Sequence, residues 1–165
     1  MKKIHMGFTI VELLIVIVVI GILAAITIVA YNGIQGRSQD ASVQSDLRQI
    51  GTKIAMYAVE NSAYPTGNQL VSLKLSVSKN AYRTTFPDGS LMYNILYCWP
   101  PSNDPHNFSV IAFSKSGKAF QYKKSGVSEY TGPDSGTVAI CAASGVTVAS
   151  GSMVDWFYKG SWAYV

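Results

Sequence analysis

Charge is scarce in this chain. Asp, Glu, Lys and Arg make up 13% of its 165 residues, about half the share of an ordinary soluble domain. Such scarcity suits a chain with a membrane segment, or one that packs into a larger assembly. The 13 basic and 9 acidic residues leave a net charge of +4, with no basic block interleaved with aromatics. Nucleic-acid binding by the monomer is therefore not indicated. Histidine is scarcer still, with only His5 and His106. His106 lies in "PPSNDPHNF", a loop-like run rich in Pro and Asn. No Cys/His spacing fits a metal centre. Asp104, Asp134 and Asp155 are scattered and form no calcium-loop pattern. No catalytic residue, no metal site and no cofactor is expected, and an exported enzyme lacks a constellation to support it.

What the chain has instead is one long apolar run. From Phe8 to Ala30 only Thr9, Glu12 and Thr27 interrupt it. About 23 residues at ~1.5 Å each span roughly 35 Å, enough to cross a bilayer. The run is too long for the core of a secretory signal, and no A-x-A-like site follows it. Lys2 and Lys3 precede it, so the N-terminus is expected to stay cytoplasmic and the rest to be exported. Glu12 is the anomaly, because a carboxylate in hydrocarbon costs several kcal/mol. Either it snorkels to the interface, toward Lys3, or it has a partner.

The segment "MKKIHMG-FTIVE" resembles the class III signal of type IV pilins and pseudopilins, with the hyphen at the expected cut. The likeness continues through "LLIVIVVIGILAAITIVAY", and more weakly in "AMYAVENSAYP", 55 to 65. The resemblance implies cleavage after Gly7 by a prepilin peptidase and N-methylation of Phe8. It implies that Glu12 meets the Phe8 amine of a neighbouring subunit in a filament core. It also implies an α+β fold, a long N-terminal helix packed on a small antiparallel sheet. One departure is Val29, where many members carry proline, so that kink is not expected. Bending is expected at Gly21, or at Gly33 and Gly36, unless these glycines simply permit close helix packing.

Beyond the run, Val43, Leu47, Ile50, Ile54 and Tyr57 recur at helical spacing. Asp40, Asp46, Arg48 and Lys53 fall between them as a wetter face. One helix is therefore predicted from about Phe8 to Glu60, apolar all round and then amphipathic. "NSAYPTG" ends it, and "NQLVSLKL" (68–75) reads as a short helical turn. "LMYNILYC" (91–98), "NFSVIAFS" (107–114), "KAFQYKK" (118–124) and "TVAICA" (137–142) read as strands. Ser116-Gly117 and Asp88-Gly89 read as turns. Trp156, Phe157, Tyr158, Trp162 and Tyr164 crowd the C-terminus, as packing or as a ligand-binding surface. The expected organisation is a leader (1–7), a membrane or filament-core helix (8–30), its amphipathic continuation (31–64) and a globular region (65–165).

Cys98 and Cys141 both fall in the exported part, and an even count in an oxidising compartment suggests one disulfide. Buried free thiols are the alternative. The resemblance also implies a stapled C-terminal region. As a whole it implies a structural subunit whose partners are its own copies, minor pilins, a prepilin peptidase, an inner-membrane assembly platform and, before assembly, membrane lipid. The chain would pass from the cytoplasmic membrane to an extracellular filament. The alternatives are a pseudopilin of a type II secretion or competence system, and a signal-anchored ligand-binding surface domain.

Overall fold

The computed structural model describes residues 8–65, 67–83, 94–100, 107–148 and 153–155. The chain divides into two compact units, Met1–Gln35 and Gly36–Val165. Helix α1 covers Ile10–Asn61, 52 residues, and contributes to both. No proline lies within it. It stops before Ser62, which turns left-handed (φ 51°), and the buried Pro65.

In the second unit the fold is α+β. Strands β1 (Ile95–Cys98), β2 (Ser109–Phe113), β3 (Ala119–Lys123), β4 (Gly126–Tyr130) and β5 (Met153–Asp155) form one sheet of order β4-β3-β2-β1-β5. All neighbours run antiparallel. The predicted turn at Ser116-Gly117 joins β2 to β3, with Gly117 at φ 97°. Strand β4 escaped the sequence reading, although Lys124-Ser125-Gly126 is its turn signal, and Gly126 takes φ 105°. The segment 91–93, Asp88-Gly89, Asp104, His106 and the aromatics from Trp156 onward lie outside the described residues.

Both faces of the sheet are covered, so β1 and β2 are buried at every position. Their unbroken apolar runs follow from this. On one face, Val43, Leu47, Ile50, Ile54 and Ala58 of α1 pack with Ile95, Tyr97, Val110, Ala112 and Phe120. The first four are fully buried, each worth of order 2 kcal/mol. The predicted stripe is present, except that Ala58 takes the buried place and Tyr57 is half-exposed. Gly51 is required there, because a Cβ would run into the Tyr122 ring.

Asp46 departs from expectation. Placed on the wetter face by spacing, it is only 5% exposed. Two elements following α1 in the chain make this possible: helix α2 (Gly67–Ser72) and a 3-10 turn at Lys79–Ala81. The connecting chain supplies the Ser78 amide, which donates to Asp46 Oδ2 at 2.7 Å, and the Tyr82 hydroxyl, which donates at 2.8 Å. Lys53 fixes the same connection by donating to the Leu73 and Lys74 carbonyls at 3.0 and 2.7 Å.

The other face carries the main correction. The segment "TVAICA", read as a strand, is helix α3, Thr137–Ala143. Only Ile140 and Cys141 in it are buried, on the side of the helix that meets the sheet. Three alanines favour the helix. Its end is a Schellman motif: Gly145 (φ 82°) donates to Ala142 at 2.9 Å and Val146 to Cys141 at 3.1 Å. Ile140, Cys141 and Val146 pack on Leu96, Ile111 and Phe113. The disulfide Cys98–Cys141 ties α3 to β1, with Cα atoms 5.6 Å apart.

Two predictions follow from this core. The bridge closes a loop of 43 residues, so the double variant Cys98→Ala/Cys141→Ala is expected to lose about 3–4 kcal/mol in urea unfolding. Burial first, and then the Asp46 carboxylate, push the Tyr82 hydroxyl well above its ordinary value. Burial does the same for Tyr97. A raised tyrosine stabilises the fold fully below its unfolded pKa, about 10, and loses that contribution as pH rises further. Unfolding free energy is therefore expected to fall from about pH 10 upward. Tyr82→Phe should soften that fall while lowering stability at pH 7. An unchanged alkaline slope would show that Tyr82 has no part in it.

Candidate functional site

The first unit, Met1–Gln35, holds the first half of α1. Its helix is the one described helix long and apolar enough to cross a membrane, with a window of mean hydropathy 3.3. Its large apolar side chains from Phe8 to Ile34 are solvent-exposed, from 47% at Val19 to 84% at Ile10. None of the described residues covers them. Thr9, Glu12 and Thr27 find hydrogen-bond partners within the helix itself. Thr27 donates its hydroxyl to the Leu23 carbonyl at 2.6 Å, as hydroxyls in membrane helices commonly do.

Glu12 sits in the first turn of α1. Its Oε2 accepts from the Thr9 amide at 2.8 Å and from the Thr9 hydroxyl at 2.7 Å. The Glu12 amide donates back to the Thr9 hydroxyl oxygen at 3.2 Å. This is a capping box, Thr9-Ile10-Val11-Glu12. The sequence reading missed Thr9, although an [ST]-x-x-[DE] pattern before an apolar run is its ordinary signal. The box answers the hydrogen-bonding part of the Glu12 anomaly. It leaves the charge, because among the described residues Glu12 forms no ion pair. The carboxylate is held at the positive end of the helix dipole, one oxygen engaged, on an apolar surface.

The other residues singled out by sequence are placed as follows. Gly7 lies outside the described residues. Phe8 stands 81% exposed beside the capping box. Backbone at Gly21, Gly33 and Gly36 is helical. A Cβ at Gly21 or Gly33 would meet nothing within 4 Å, and one at Gly36 would make ordinary contact with Ser116. Nothing among the described residues therefore requires glycine at 21 or 33. Cys98 and Cys141 lie together in the second unit, apart from these residues in sequence and in role. Asp134 accepts from Arg83 at 3.2 Å. Among the described residues no three His, Cys, Asp or Glu side chains converge as a metal site.

Part of this chain is similar in sequence to curated proteins of two kinds. The type II secretion system core protein G of Klebsiella pneumoniae is 33% identical over 84 residues, 50% of this chain and 60% of that protein. The protein of the same name from Escherichia coli is 35% identical over 63 residues, 38% of this chain and 43% of that one. The type IV major fimbrial protein FimA of Dichelobacter nodosus is 48% identical over 54 residues, 33% of this chain and 35% of that protein. The chain is type IV pilin-like. It spans 60% or less of the length of each of these curated relatives. No family model matches it.

The capping box can be tested in the detergent-solubilised chain. Thr9→Val removes the capping hydroxyl and is expected to cost the helix start about 1 kcal/mol. Faster hydrogen exchange at the amides of Val11 to Leu13 would report it. Glu12→Gln retains an acceptor and should leave that exchange close to wild type.

Proposed function

We propose that this chain is a structural subunit of a type IV pilus-like filament. It is made as a precursor, cleaved after Gly7 by a prepilin peptidase and N-methylated on Phe8. It then polymerises through its N-terminal helix with copies of itself and related minor pilins, on an inner-membrane assembly platform. The observation that carries this reading is the first half of α1, whose described large apolar side chains are exposed and which bears one carboxylate without a cation among the described residues. In lipid the apolar surface is satisfied and the charge is not. In a bundle of such helices both are satisfied, provided the Phe8 amine of a neighbour meets Glu12. The open space at Gly21 and Gly33 suits close approach of neighbouring helices, and these positions, with Gly36, are where the helix would bend.

The basic leader favours a single span with the N-terminus inside, so the subunit would wait in the cytoplasmic membrane and end in an extracellular filament. Adhesion, twitching motility and DNA uptake are tasks open to such a filament. The likeness to proteins named as type II secretion core components supports a second reading, a pseudopilin whose filament stays short and within the envelope. Filaments sheared from the cell surface separate the two.

The decisive experiment pairs processing with assembly. Intact mass of filament protein is expected to begin at Phe8 and to carry one extra methyl group. Gly7→Val should block the cut. Glu12→Val should insert and be cleaved normally, yet give little or no filament, since a buried amine without its counter-charge costs about 3–5 kcal/mol. Glu12→Gln keeps the cap but not the charge and should be intermediate. Wild-type yield from cells expressing only Glu12→Val would remove the carboxylate from assembly. A mature chain beginning at Met1 would favour a plain signal-anchored surface domain.

A further inference from the structure

Among the described residues from Gly36 onward, three large apolar side chains stand exposed: Met56 (57%), Val59 (80%) and Val138 (50%). They form two patches. Met56 and Val59, with Thr52, Ala55, Glu60 and Tyr122, line an open groove of about 410 Å³ along α1. Val138 belongs to α3, where Ala139, Ala142 and Ala143 are exposed beside it. Helix α3 thus turns apolar residues to both sides, as helices do when both sides are covered.

The patches lie on opposite sides of the sheet. Helix α1 packs with Ile95 and Tyr97, and α3 packs with Leu96 and Cys98 from the opposite pleat of the same strand. One molecule cannot close them on each other. Their rims carry opposite charge. Glu60 borders the α1 groove. Lys123 and Lys124 border a depression with Ser144, Gly145 and Val146, at the end of α3. The ion pair among the described residues, Arg83–Asp134, engages none of these three.

We propose that α3 of one copy docks in the α1 groove of the next copy. Val138 and Ala142 seat against Ala55, Met56 and Val59, with Lys123 and Lys124 directed toward Glu60. A second copy is the occupant because this chain carries both halves of the match, apolar to apolar and basic to acidic. A contact joining two different faces is heterologous, and repetition of it generates a ring or an open filament, not a closed dimer. The inference rests on the filament reading above and adds to it a contact between globular domains, away from the N-terminal helices.

The test uses the full-length chain in cells. Benzoyl-phenylalanine replaces Met56, filaments are sheared and illuminated, and the adduct is mapped. The expected product is a dimer whose link joins position 56 of one subunit to residues 137–143 of another. Links confined to one polypeptide, or to a different protein, overturn the proposal. Met56→Lys and Val138→Lys are each expected to lower filament yield at least about tenfold, or ~1.4 kcal/mol. Unchanged yield from both overturns it. Because Val138→Lys could disturb the fold, a charge exchange stands beside it. Glu60→Lys should lower yield, and adding Lys123→Glu/Lys124→Glu should restore it; no restoration counts against the contact. If the wild-type chain makes no filament, the filament reading itself fails. If it does and the links are absent, only this contact fails.

Discussion

An apolar helix face has to be covered, and the architecture here turns on where that cover comes from. Along the second half of α1 it comes from the chain. Val43, Leu47, Ile50 and Ile54 are removed from water by the inner pleat of the sheet. Along the first half the described residues offer none, and side chains from Ile10 to Ile28 are exposed. The same backbone hydrogen-bond ladder runs through both halves, so the change of environment is written only in side chains. Thr27 keeps its hydroxyl inside the helix, whereas Lys53 in the second half reaches out to carbonyls of another segment. Each half is thus adapted to a different solvent. The second half is completed by the packing of its own domain, and the first half, under the proposed function, would be completed by lipid or by other helices.

Completion of the second half rests on more than the α1 stripe. A sheet this narrow, with α1 on one side, would present Leu96, Ile111 and Phe113 to water on the other. Helix α3 closes that side, and the Cys98–Cys141 bridge holds it to β1. A seven-residue helix has too few turns to persist alone. Its stability comes from Ile140, Cys141 and Val146 in the sheet and from the glycine cap that ends it. Cover for α3 itself is then the remaining demand, and it is of the same kind as the demand made by the N-terminal helix, on a smaller scale.

Legibility followed the range of the interactions. The long helix, its division into two environments and the turn at Ser116-Gly117 depend on neighbours three or four residues apart, and periodicity exposes them. Strands β1 and β2 are short apolar runs and β3 alternates aromatic with other residues, and they were recognisable for that reason. "TVAICA" was misread because Val138 and Ile140 carry β propensity, while the decision lay with Gly145 and with which two residues the sheet face accepts. Asp46 was misread because its donors, Ser78 and Tyr82, come from a segment more than thirty residues away, which no local window contains. At the candidate site the apolar run and Glu12 were visible at once, but Thr9 was passed over as a mere interruption of the run, although the capping pattern is entirely local.

Thr9 changes what Glu12 means. A carboxylate at a helix start poses two separate problems, unpaired hydrogen-bonding groups and an uncompensated charge. The capping box resolves the first within one turn. It satisfies backbone donors that no other part of the helix can reach, and it fixes the carboxylate in one orientation at the N-terminal end. The second problem is untouched, since both Thr9 groups are neutral. A residue whose geometry is already determined and whose charge is still open is a pre-organised acceptor for a cation, because little conformational freedom remains to be lost when the cation arrives. Had the cap been absent, the same carboxylate would turn toward the interface and meet water or a lysine head group. Held by Thr9, the carboxylate is fixed in the first helical turn with no cation beside it among the described residues, and under the proposed assembly a neighbouring subunit would deliver that charge.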